Sequence, residues 1–494
     1  MSGRRLARNA LYNVLGQGLP LVIGLAALPI TLRALGNARF GLLGLAWAIL
    51  GYVGALDLGL GRATTKYVAE YLAAGDDTRL CSVGTLAVAS QTAMGVLGSV
   101  LFALLAPVLV DDVLRVTPAL RAEARGMMLA LALSVPFVVL AASLRAMLEA
   151  AQRFDIVNII RTPTSAAVLF VPAIAASFGA TLPTIVMLLI GVRVVACAAS
   201  VVAIQRAIPA FRWTLDIRWE TLRPLLGYGG WVSVSNVISP LLVYLERFLL
   251  AALAGVAAVA YYTVPSEVVM RLLIVPASLA SALFPALSAS GAAAGPAEHL
   301  LGRPVRFLLL ILAPIVTALV VCAGPLLSLW LGPDYAARST AAFAILAVGV
   351  LINGLAHLPY AYLLGRGRPD LPAKFHLVEL PLYAAAGWLL IRQAGVTGAA
   401  LAWTLRVTVD AALLVAAVWR VSGVSPRRLL GDRGGRAVAA VLGLAAIGAA
   451  SYTLGAQVVI RYGLVLASLA VFGAGVWRFV LDEAERAGLR AVLR

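Results

Sequence analysis

Charge is scarce in this sequence. Asp, Glu, Lys and Arg make up 12% of the 494 residues, about half of the ~25% usual in soluble domains. Hydrophobic residues make up 62%, and a soluble protein of this size could not bury that much apolar surface. Since a membrane-spanning helix needs ~20 apolar residues, the composition has room for about fifteen spans. It excludes a soluble enzyme, a disordered chain and a protein with a single membrane anchor.

Cysteine and histidine are also rare, with three of each in the chain. Cys81, Cys197 and Cys322 lie singly inside apolar stretches, which supports neither a disulfide framework nor a zinc site. The motifs CxxC, HExxH and GxxxxGK[ST] do not occur, so neither a metalloenzyme nor ATP hydrolysis by this chain is expected. We therefore predict no cofactor, no metal ion and no catalytic residue.

Acidic residues are scarcer than basic ones. The chain has 22 Asp and Glu against 39 Lys and Arg, a net charge of +17. A nucleic-acid-binding protein concentrates such an excess on one soluble, aromatic-containing face. Here the basic residues come in small groups between apolar runs, a distribution that indicates membrane topology. We predict no nucleic-acid partner.

Apolar segments bounded by charged or turn-forming residues recur along the whole chain. They predict an all-α polytopic membrane protein with about fourteen transmembrane helices. The predicted spans cover residues 9–32, 40–61, 81–110, 126–148, 162–178, 183–205, 225–253, 256–287, 304–331, 340–364, 371–391, 396–419, 436–456 and 460–480. Because the connections are short, no sizeable extramembrane domain is expected.

Lys and Arg are distributed unequally between alternate connections, as the positive-inside rule describes. With the N-terminus in the cytoplasm, 27 of them fall on the cytoplasmic side and 9 on the opposite side. We therefore predict a multi-pass protein of the inner or plasma membrane with both termini in the cytoplasm.

The two halves of the chain resemble each other. Residues 35–41 end one predicted span and begin the next, and residues 254–260 do the same 219 residues later. Two six-helix halves in the same orientation are a common plan for transporters, although Gly- and Ala-rich helix ends also resemble each other by chance. We predict a six-helix lobe over 1–205, a cytoplasmic interfacial linker over 206–224, a second six-helix lobe over 225–420, and two additional helices with a cytoplasmic tail over 421–494.

Four short motifs resemble the polysaccharide transport family. They are LRALGNARFGLL at residues 32–43, LDLGLGRA at 56–63, LGRGRP at 364–369 and AGVTGAALA at 394–402. Members of this family are flippases for lipid-linked oligosaccharides, in a superfamily that also holds multidrug extrusion proteins and peptidoglycan lipid flippases. The resemblance implies export of a polyprenyl-diphosphate oligosaccharide for cell-surface polysaccharide biosynthesis. Many members have twelve helices, so the pair of helices within 433–480 is an addition.

Nine ionisable residues within the predicted spans are candidates for the interior of the membrane. Such a group at the centre of a bilayer costs ~2.5–3.5 kcal/mol on insertion scales, so these side chains must face a water-filled cavity or one another. Glu267 and Arg271 are four residues apart, and so are Arg406 and Asp410, which places each pair on one helix face. The nine residues are Asp57, Arg193, Glu246, Arg247, Glu267, Arg271, Glu379, Arg406 and Asp410.

Our hypothesis is that these residues line a central cavity that receives an anionic diphosphate. The planar guanidinium of arginine suits phosphate because it donates two parallel hydrogen bonds. The alternative is that the pairs four residues apart only neutralise each other and hold helices together. The expected substrate-binding residues are Arg193, Arg247, Arg271 and Arg406, with Asn13 and Gln17. The expected ion-coupling or cavity carboxylates are Asp57, Glu246, Glu267 and Asp410.

The expected mechanism is alternating access, in which two lobes rock about a midplane site. The expected partners are a lipid-linked oligosaccharide, membrane lipid, and H⁺ or Na⁺ returning inward at a carboxylate such as Glu267 or Asp57, with a polysaccharide polymerase or glycosyltransferases as protein partners. One alternative is a multidrug or cation antiporter of the same fold, although its cavity should be acidic rather than arginine-lined. Another is a membrane-embedded polymerase or glycosyltransferase, although such enzymes usually carry a substantial extramembrane domain.

Overall fold

The computed structural model of the chain describes residues 3–55, 60–114, 116–214, 230–289, 297–423, 425–431, 433–453, 458–483, 485–487 and 490. These ranges contain fourteen α-helices and no β-strand, which confirms the predicted all-α class. The helices are α1 (Gly3–Ala55), α2 (Leu60–Ala74), α3 (Asp77–Val108), α4 (Pro118–Ala150), α5 (Phe154–Ser177), α6 (Leu182–Ala207), α7 (Gly230–Ala254), α8 (Val256–Met270), α9 (Ile274–Ala289), α10 (Ala297–Leu331), α11 (Pro333–Gly365), α12 (Asp370–Ser422), α13 (Gly434–Thr453) and α14 (Val458–Gly475).

Two of these helices, α1 and α12, are each a pair of helices joined at a glycine. The backbone leaves the helical region at Gly36, where φ is 70°, and at Gly395, where φ is 53°. Glycine adopts positive φ readily because it has no Cβ. Both breaks fall between spans that the sequence predicts as separate, so each long helix corresponds to two predicted spans.

Helix α2 falls between two predicted spans and was not anticipated. It is short and carries Thr64 and Val68, which are four residues apart and fully buried. Val68 packs into a core with Leu80 of α3 and Leu144 of α4. At fifteen residues, the helix is too short to cross a bilayer, which is why a search for long apolar runs misses it.

Many large apolar side chains are exposed on the surface of the protein, more than a water-soluble protein usually has. On α3, Leu97, Leu101, Leu104 and Val108 repeat at helical spacing and are between 49% and 71% exposed. Exposed apolar patches of this kind are rare on soluble monomers. Eleven helices in the described part of the chain are long and apolar enough to cross a membrane. The chain is a multi-pass membrane protein.

The chain divides into two compact units, Met1–Thr263 and Val264–Arg494. The core of the first unit joins α2, α3, α4 and α6, with Phe211 fully buried among them. The second unit has one core between α10, α11 and α12. A further core, around Leu310, Ala437 and Leu444, attaches α13 to α10. The lobe boundaries expected from the sequence stay a prediction.

Turns in the two halves of the chain have similar backbone angles, which supports the predicted duplication. Gly36 and Gly255 are the residues aligned at the offset of 219, and both have positive φ, 70° and 86°. A second pair of turns with similar backbone angles is Gln152 and Gly367, at an offset of 215, with φ of 55° and 69°. Among the described residues Gln152 is the one non-glycine with a positive φ. The turn at Gln152 therefore keeps this geometry without a glycine.

The turns at Gln152 and Gly367 also share one ion pair. Arg153 Nε donates to Asp155 Oδ1 at 3.0 Å, and Arg368 Nε donates to Asp370 Oδ1 at 2.9 Å. In each turn the second guanidinium nitrogen reaches the other carboxylate oxygen. The hydrogen bond to Asp155 raises the pKa of Arg153. Two turns with the same backbone and the same bidentate pair are what a duplicated unit would retain.

Candidate functional site

The turn of α12 brings two polar helix faces together. After the break at Gly395, Gly398 packs so tightly that a Cβ there would lie 1.9 Å from the carbonyl oxygen of Leu390. The second segment therefore runs back along the first. Residues on either side of the turn become neighbours although they belong to separate helical segments.

Five side chains on these two segments form what we call the α12 polar cluster: His376, Glu379, Tyr383, Arg406 and Asp410. Arg406 Nη1 lies 3.7 Å from Glu379 Oε2, with the side chains 9% and 3% exposed. The guanidinium also lies over the ring of Tyr383, 5.8 Å from its centroid. Asp410 lies within hydrogen-bonding reach of Glu379 and interacts electrostatically with His376.

Three of the four carboxylate oxygens in the α12 polar cluster have no hydrogen-bond donor among the described residues. Both oxygens of Glu379 and Oδ1 of Asp410 are buried and accept no hydrogen bond within the described part of the chain. A buried carboxylate in this condition is costly, and such groups are usually explained by a functional role or by an ion or water. With a neutral histidine, two carboxylates and one guanidinium leave a formal charge of −1, which a proton or a small cation would balance.

The cluster is only partly the one that the sequence predicts. The spacing of Arg406 and Asp410 predicts an ion pair within one helix, but Arg406 pairs with Glu379 on the preceding segment instead. That expectation was wrong because the helix turn brings a second carboxylate to the guanidinium. Glu379 was recognised only as a charged residue within a span, and His376 was missed. The sequence does contain a pattern that indicates this cluster, because the polar residues at 376, 379 and 383 are spaced to lie on one helix face.

A second group of polar residues lies on α7 and α8 in the first unit. Glu246 and Arg247 are both buried, at 2% and 5% exposure. The hydroxyl of Tyr262 donates to Glu246 Oε1 at 3.2 Å, and Arg247 lies over the ring of Tyr244. The two charged residues are adjacent in sequence, and each has its own aromatic neighbour.

The second segment of α1 packs closely against α8. A Cβ at Gly41 would lie 1.7 Å from the carbonyl oxygen of Val256, so only glycine permits this approach. Asn37 Nδ2 donates to the hydroxyl of Tyr261 at 2.7 Å. The residues of the LGNARFG motif therefore serve to join the first part of the chain to α8.

Glu267 and Arg271 lie in the second unit where α8 meets α9. Their ion pair, predicted from the spacing, is confirmed at 3.6 Å, with side chains 26% and 35% exposed. Arg271 begins a 3₁₀ turn, Arg271–Leu273, just before Pro276. A proline removes a helical hydrogen bond and its ring displaces the carbonyl four residues earlier, which explains the local tightening. A 3₁₀ stretch within a long helix often marks a hinge.

The remaining predicted residues are less informative. Arg193 is half-buried on α6, close to Cys197 one turn later. Asn13, Gln17 and Asp57 lie outside the residues whose side chains the structure describes. That Arg193, Arg247, Arg271 and Arg406 act on one substrate stays a prediction. Within the described ranges no group of three or more His, Cys, Asp or Glu is placed to hold a metal ion.

The structure also shows a charge group around the buried residues Arg306 and Glu485 that the sequence did not indicate. It is here called the C-terminal clamp and consists of Arg303, Arg306, Asp482 and Glu485. The Glu485 side chain is fully buried and pairs with Arg306 and with Arg303, the latter at 3.0 Å. Asp482 and Glu485 also accept hydrogen bonds from each other's backbone N–H groups, at 2.7 and 3.0 Å. The clamp fastens the segment after α14 to the start of α10.

Comparison with known proteins gives consistent results. The family described as "Polysaccharide biosynthesis protein" matches residues 6–290. A protein of Shigella flexneri named "Putative O-antigen transporter" is 30% identical over 412 residues, which is 83% of this chain and 96% of that protein.

Two solved structures share the fold. One is the lipid II flippase MurJ in an inward closed conformation, with a TM-score of 0.72 and 11% identity over 96% of this chain and all of that one. The other is an inward-facing multidrug resistance MATE family transporter of the MOP superfamily, with a TM-score of 0.69 and 14% identity over 83% of this chain and 98% of that one. At these identities the likeness concerns the fold alone.

Proposed function

Because the chain belongs to the polysaccharide biosynthesis protein family, we propose that it is a flippase that moves a lipid-linked oligosaccharide from the cytoplasmic to the outer leaflet. The carrier is a polyprenyl diphosphate, and the product serves cell-surface polysaccharide biosynthesis. The observation that carries this proposal is the match over 96% of a relative named as an O-antigen transporter. Since the relatives are named as transporters and flippases, no enzymatic role is proposed.

The proposed orientation follows from the distribution of basic residues. Both termini lie in the cytoplasm, because 27 Lys and Arg then fall inside and 9 outside. In this orientation an inside-negative potential favours outward movement of an anionic diphosphate, by ~2.3 kcal/mol per charge per 100 mV. The proposed location of the protein is the inner or plasma membrane of the cell.

The proposed mechanism is alternating access. Three local features support it: the breaks at Gly36 and Gly395 and the 3₁₀ turn at Arg271–Leu273. At Gly36 and Gly395 the backbone angles leave the helical region, and the 3₁₀ turn departs from regular α-helical geometry. Bending at such points costs less than bending a regular helix, so these positions serve as hinges between conformations.

Arg271 is the arginine best placed among the predicted set to meet a diphosphate. Its side chain is 35% exposed and its ion pair with Glu267 is long, at 3.6 Å, so a phosphate can compete for the guanidinium. Arg247 and Arg406, in contrast, are largely buried. We propose that Arg271 binds the diphosphate and that Arg406 holds the carboxylates of the α12 polar cluster.

Ion coupling is proposed at the α12 polar cluster. Of the predicted carboxylates, Glu267 is already paired with Arg271, whereas Asp410 has the second carboxylate of Glu379 beside it. The unsatisfied oxygens and the excess negative charge suit H⁺ or Na⁺. A cation that enters there offsets the charge and returns inward as the lipid-linked anion moves outward.

The test is reconstitution of the full-length protein in liposomes with a labelled lipid-linked oligosaccharide. The label that reaches the outer leaflet is measured with a membrane-impermeant reagent, with and without Na⁺ or proton gradients. We expect Arg271→Ala to slow flipping about tenfold. This factor corresponds to the free energy of one charge-assisted hydrogen bond. Arg420→Ala, at an exposed arginine in the last turn of α12, is the matched control and should keep the wild-type rate.

The results separate the parts of the proposal. An unchanged rate for Arg271→Ala at normal protein levels removes Arg271 from the substrate site but leaves the flippase assignment. Flipping that is indifferent to both gradients rejects ion coupling. Absence of any flipping by the wild-type protein contradicts the function itself.

A second candidate function is export of cationic drugs. It is favoured by the MATE-like fold and by the excess negative charge of the α12 polar cluster. The same liposomes, loaded with a fluorescent organic cation, distinguish the two. Cation export without oligosaccharide flipping would establish the second candidate.

A further inference from the structure

A groove lies between α4, α5 and α6 in the first unit, on helices that the proposed transport mechanism does not use. Its volume is about 230 Å³. The walls are mostly apolar and include Ala142, Val157, Ile160 and Ala196, while Arg145 and Arg161 provide its two charged side chains. An apolar groove with cationic groups suits an amphipathic anion.

The arginines are the groove's available hydrogen-bond donors. The two hydroxyl groups that line it, Thr164 and Ser200, donate to carbonyl oxygens of their own helices at 2.7 and 2.8 Å. Arg145 has only a long contact of 3.6 Å with Glu149. Arg161 makes no ion pair with a carboxylate in the described part of the chain. The charge of the groove is therefore positive and largely uncompensated.

The depth of the arginines matches the headgroup layer of a membrane. Helix α4 has 33 residues and is ~50 Å long at 1.5 Å per residue, against a hydrocarbon core of ~30 Å. Arg145 lies five residues before its end and Arg161 seven residues after the start of α5, roughly 8–10 Å from the helix ends. In the orientation proposed above, on which this step rests, this end lies at the cytoplasmic leaflet, where anionic lipids concentrate.

We propose that this groove, here the α4–α6 groove, binds one anionic phospholipid. The phosphate contacts Arg145 and Arg161, and part of one acyl chain lies against Ala142, Val157, Ile160 and Ala196. The volume is below the ~300–1,000 Å³ of pockets that enclose drug-sized ligands, so the groove holds the phosphate and part of one chain but has no room for an oligosaccharide as well. It is a lipid site separate from the transported substrate.

The test is native mass spectrometry of the full-length protein in detergent, with equal amounts of phosphatidylglycerol and phosphatidylcholine added. Wild-type protein should retain phosphatidylglycerol in preference. The double variant Arg145→Gln, Arg161→Gln should bind it about tenfold more weakly, as expected for lost charge-assisted hydrogen bonds. The control variant Arg79→Gln, Arg206→Gln removes the same charge from exposed positions outside the groove and should bind as wild type does.

A second variant tests the apolar part of the groove. Ala142→Phe fills it without changing charge and should also weaken phosphatidylglycerol binding, even if the arginine variant proves hard to purify. Equal weakening in groove and control variants, no weakening in either groove variant, or equal retention of phosphatidylcholine would each overturn the proposal. Displacement of the phospholipid by a polyprenyl diphosphate would assign the groove to the substrate instead.

Discussion

Two groups of charged residues lie in the second unit, and they differ in how their buried carboxylates are paired. The C-terminal clamp sets one carboxylate, Glu485, against two arginines, with a contact of 3.0 Å to Arg303 and a second, closer contact to Arg306. The α12 polar cluster sets two carboxylates against one arginine, with the ion pair at 3.7 Å. With Asp482 included, the clamp has two carboxylates for two arginines, and both oxygens of Glu485 have donors. The cluster has one excess negative charge and carboxylate oxygens without donors.

The difference separates a structural ion group from one suited to function. Every oxygen of Glu485 has a donor, from an arginine or from the backbone, so nothing further is needed there. Glu379 is as deeply buried but accepts no hydrogen bond from the described residues. Such a group is usually explained by a functional role or by a bound proton, water or ion.

The largest effect is expected from breaking the clamp. Glu485→Ala leaves Arg306 buried without its carboxylate, and removing one partner of a buried pair typically costs ~3–5 kcal/mol. The free energy of unfolding, measured by denaturant titration in micelles, should fall by about that amount. Glu483→Ala, an exposed neighbour, should change it by less than ~0.5 kcal/mol. Similar values for the two variants would mean that the clamp does not stabilise the protein.

A comparable loss is expected when both carboxylates of the cluster are removed. The double variant Glu379→Gln, Asp410→Asn leaves Arg406 without a counter-charge, and we expect a loss of about 3 kcal/mol in the free energy of unfolding. Adding Arg406→Gln to this variant should restore much of that loss, since the uncompensated charge is gone. Failure of the triple variant to recover stability would show that the charges do not act as a group.

A smaller loss of stability is expected from disturbing the turn of α12 than from removing the carboxylates. Gly398→Ala places a Cβ against the Leu390 carbonyl, and overpacking of this kind costs ~1–3 kcal/mol. The same substitution at Gly443, where a Cβ meets nothing within 4 Å, should instead stabilise α13 by ~0.5–1 kcal/mol. The two unfolding midpoints should therefore move in opposite directions, and a shared direction would contradict the tight turn.

The smallest effect on stability is expected from neutralising one carboxylate of the cluster. Asp410→Asn leaves Glu379 and Arg406 as a balanced pair, so the free energy of unfolding should change by less than ~1 kcal/mol. Flipping in liposomes should nevertheless lose its dependence on the Na⁺ or proton gradient. If the variant keeps the gradient dependence, Asp410 has no role in ion coupling. The C-terminal clamp and the α12 polar cluster would then differ only in their effect on stability.

Much of the fold could be predicted from the sequence because its signals are local. Apolar runs of about twenty residues mark the spans, and the glycines at 36 and 395 mark where two long helices break. Helix α2 could not be found in this way, because it is short and its burial depends on α3 and α4.

The candidate site was less predictable. Glu267 and Arg271 could be paired from their spacing because the contact lies within one helix. Arg406 could not be assigned to Glu379, because the two residues meet only after the chain turns at Gly395. Spacing alone favoured Asp410, which lies one helical turn away on the same segment.

The sequence by itself determined that the chain lies in a membrane and that it crosses it with many helices. Those properties follow from composition and from periodicity along a single helix. Only the tertiary structure decided which charges meet, as when Glu485 reaches Arg306 across 179 residues of chain. The physical reason is that a buried charge needs a partner of opposite charge. Which partner lies close enough depends on how the helices pack, and this packing involves segments far apart in the sequence.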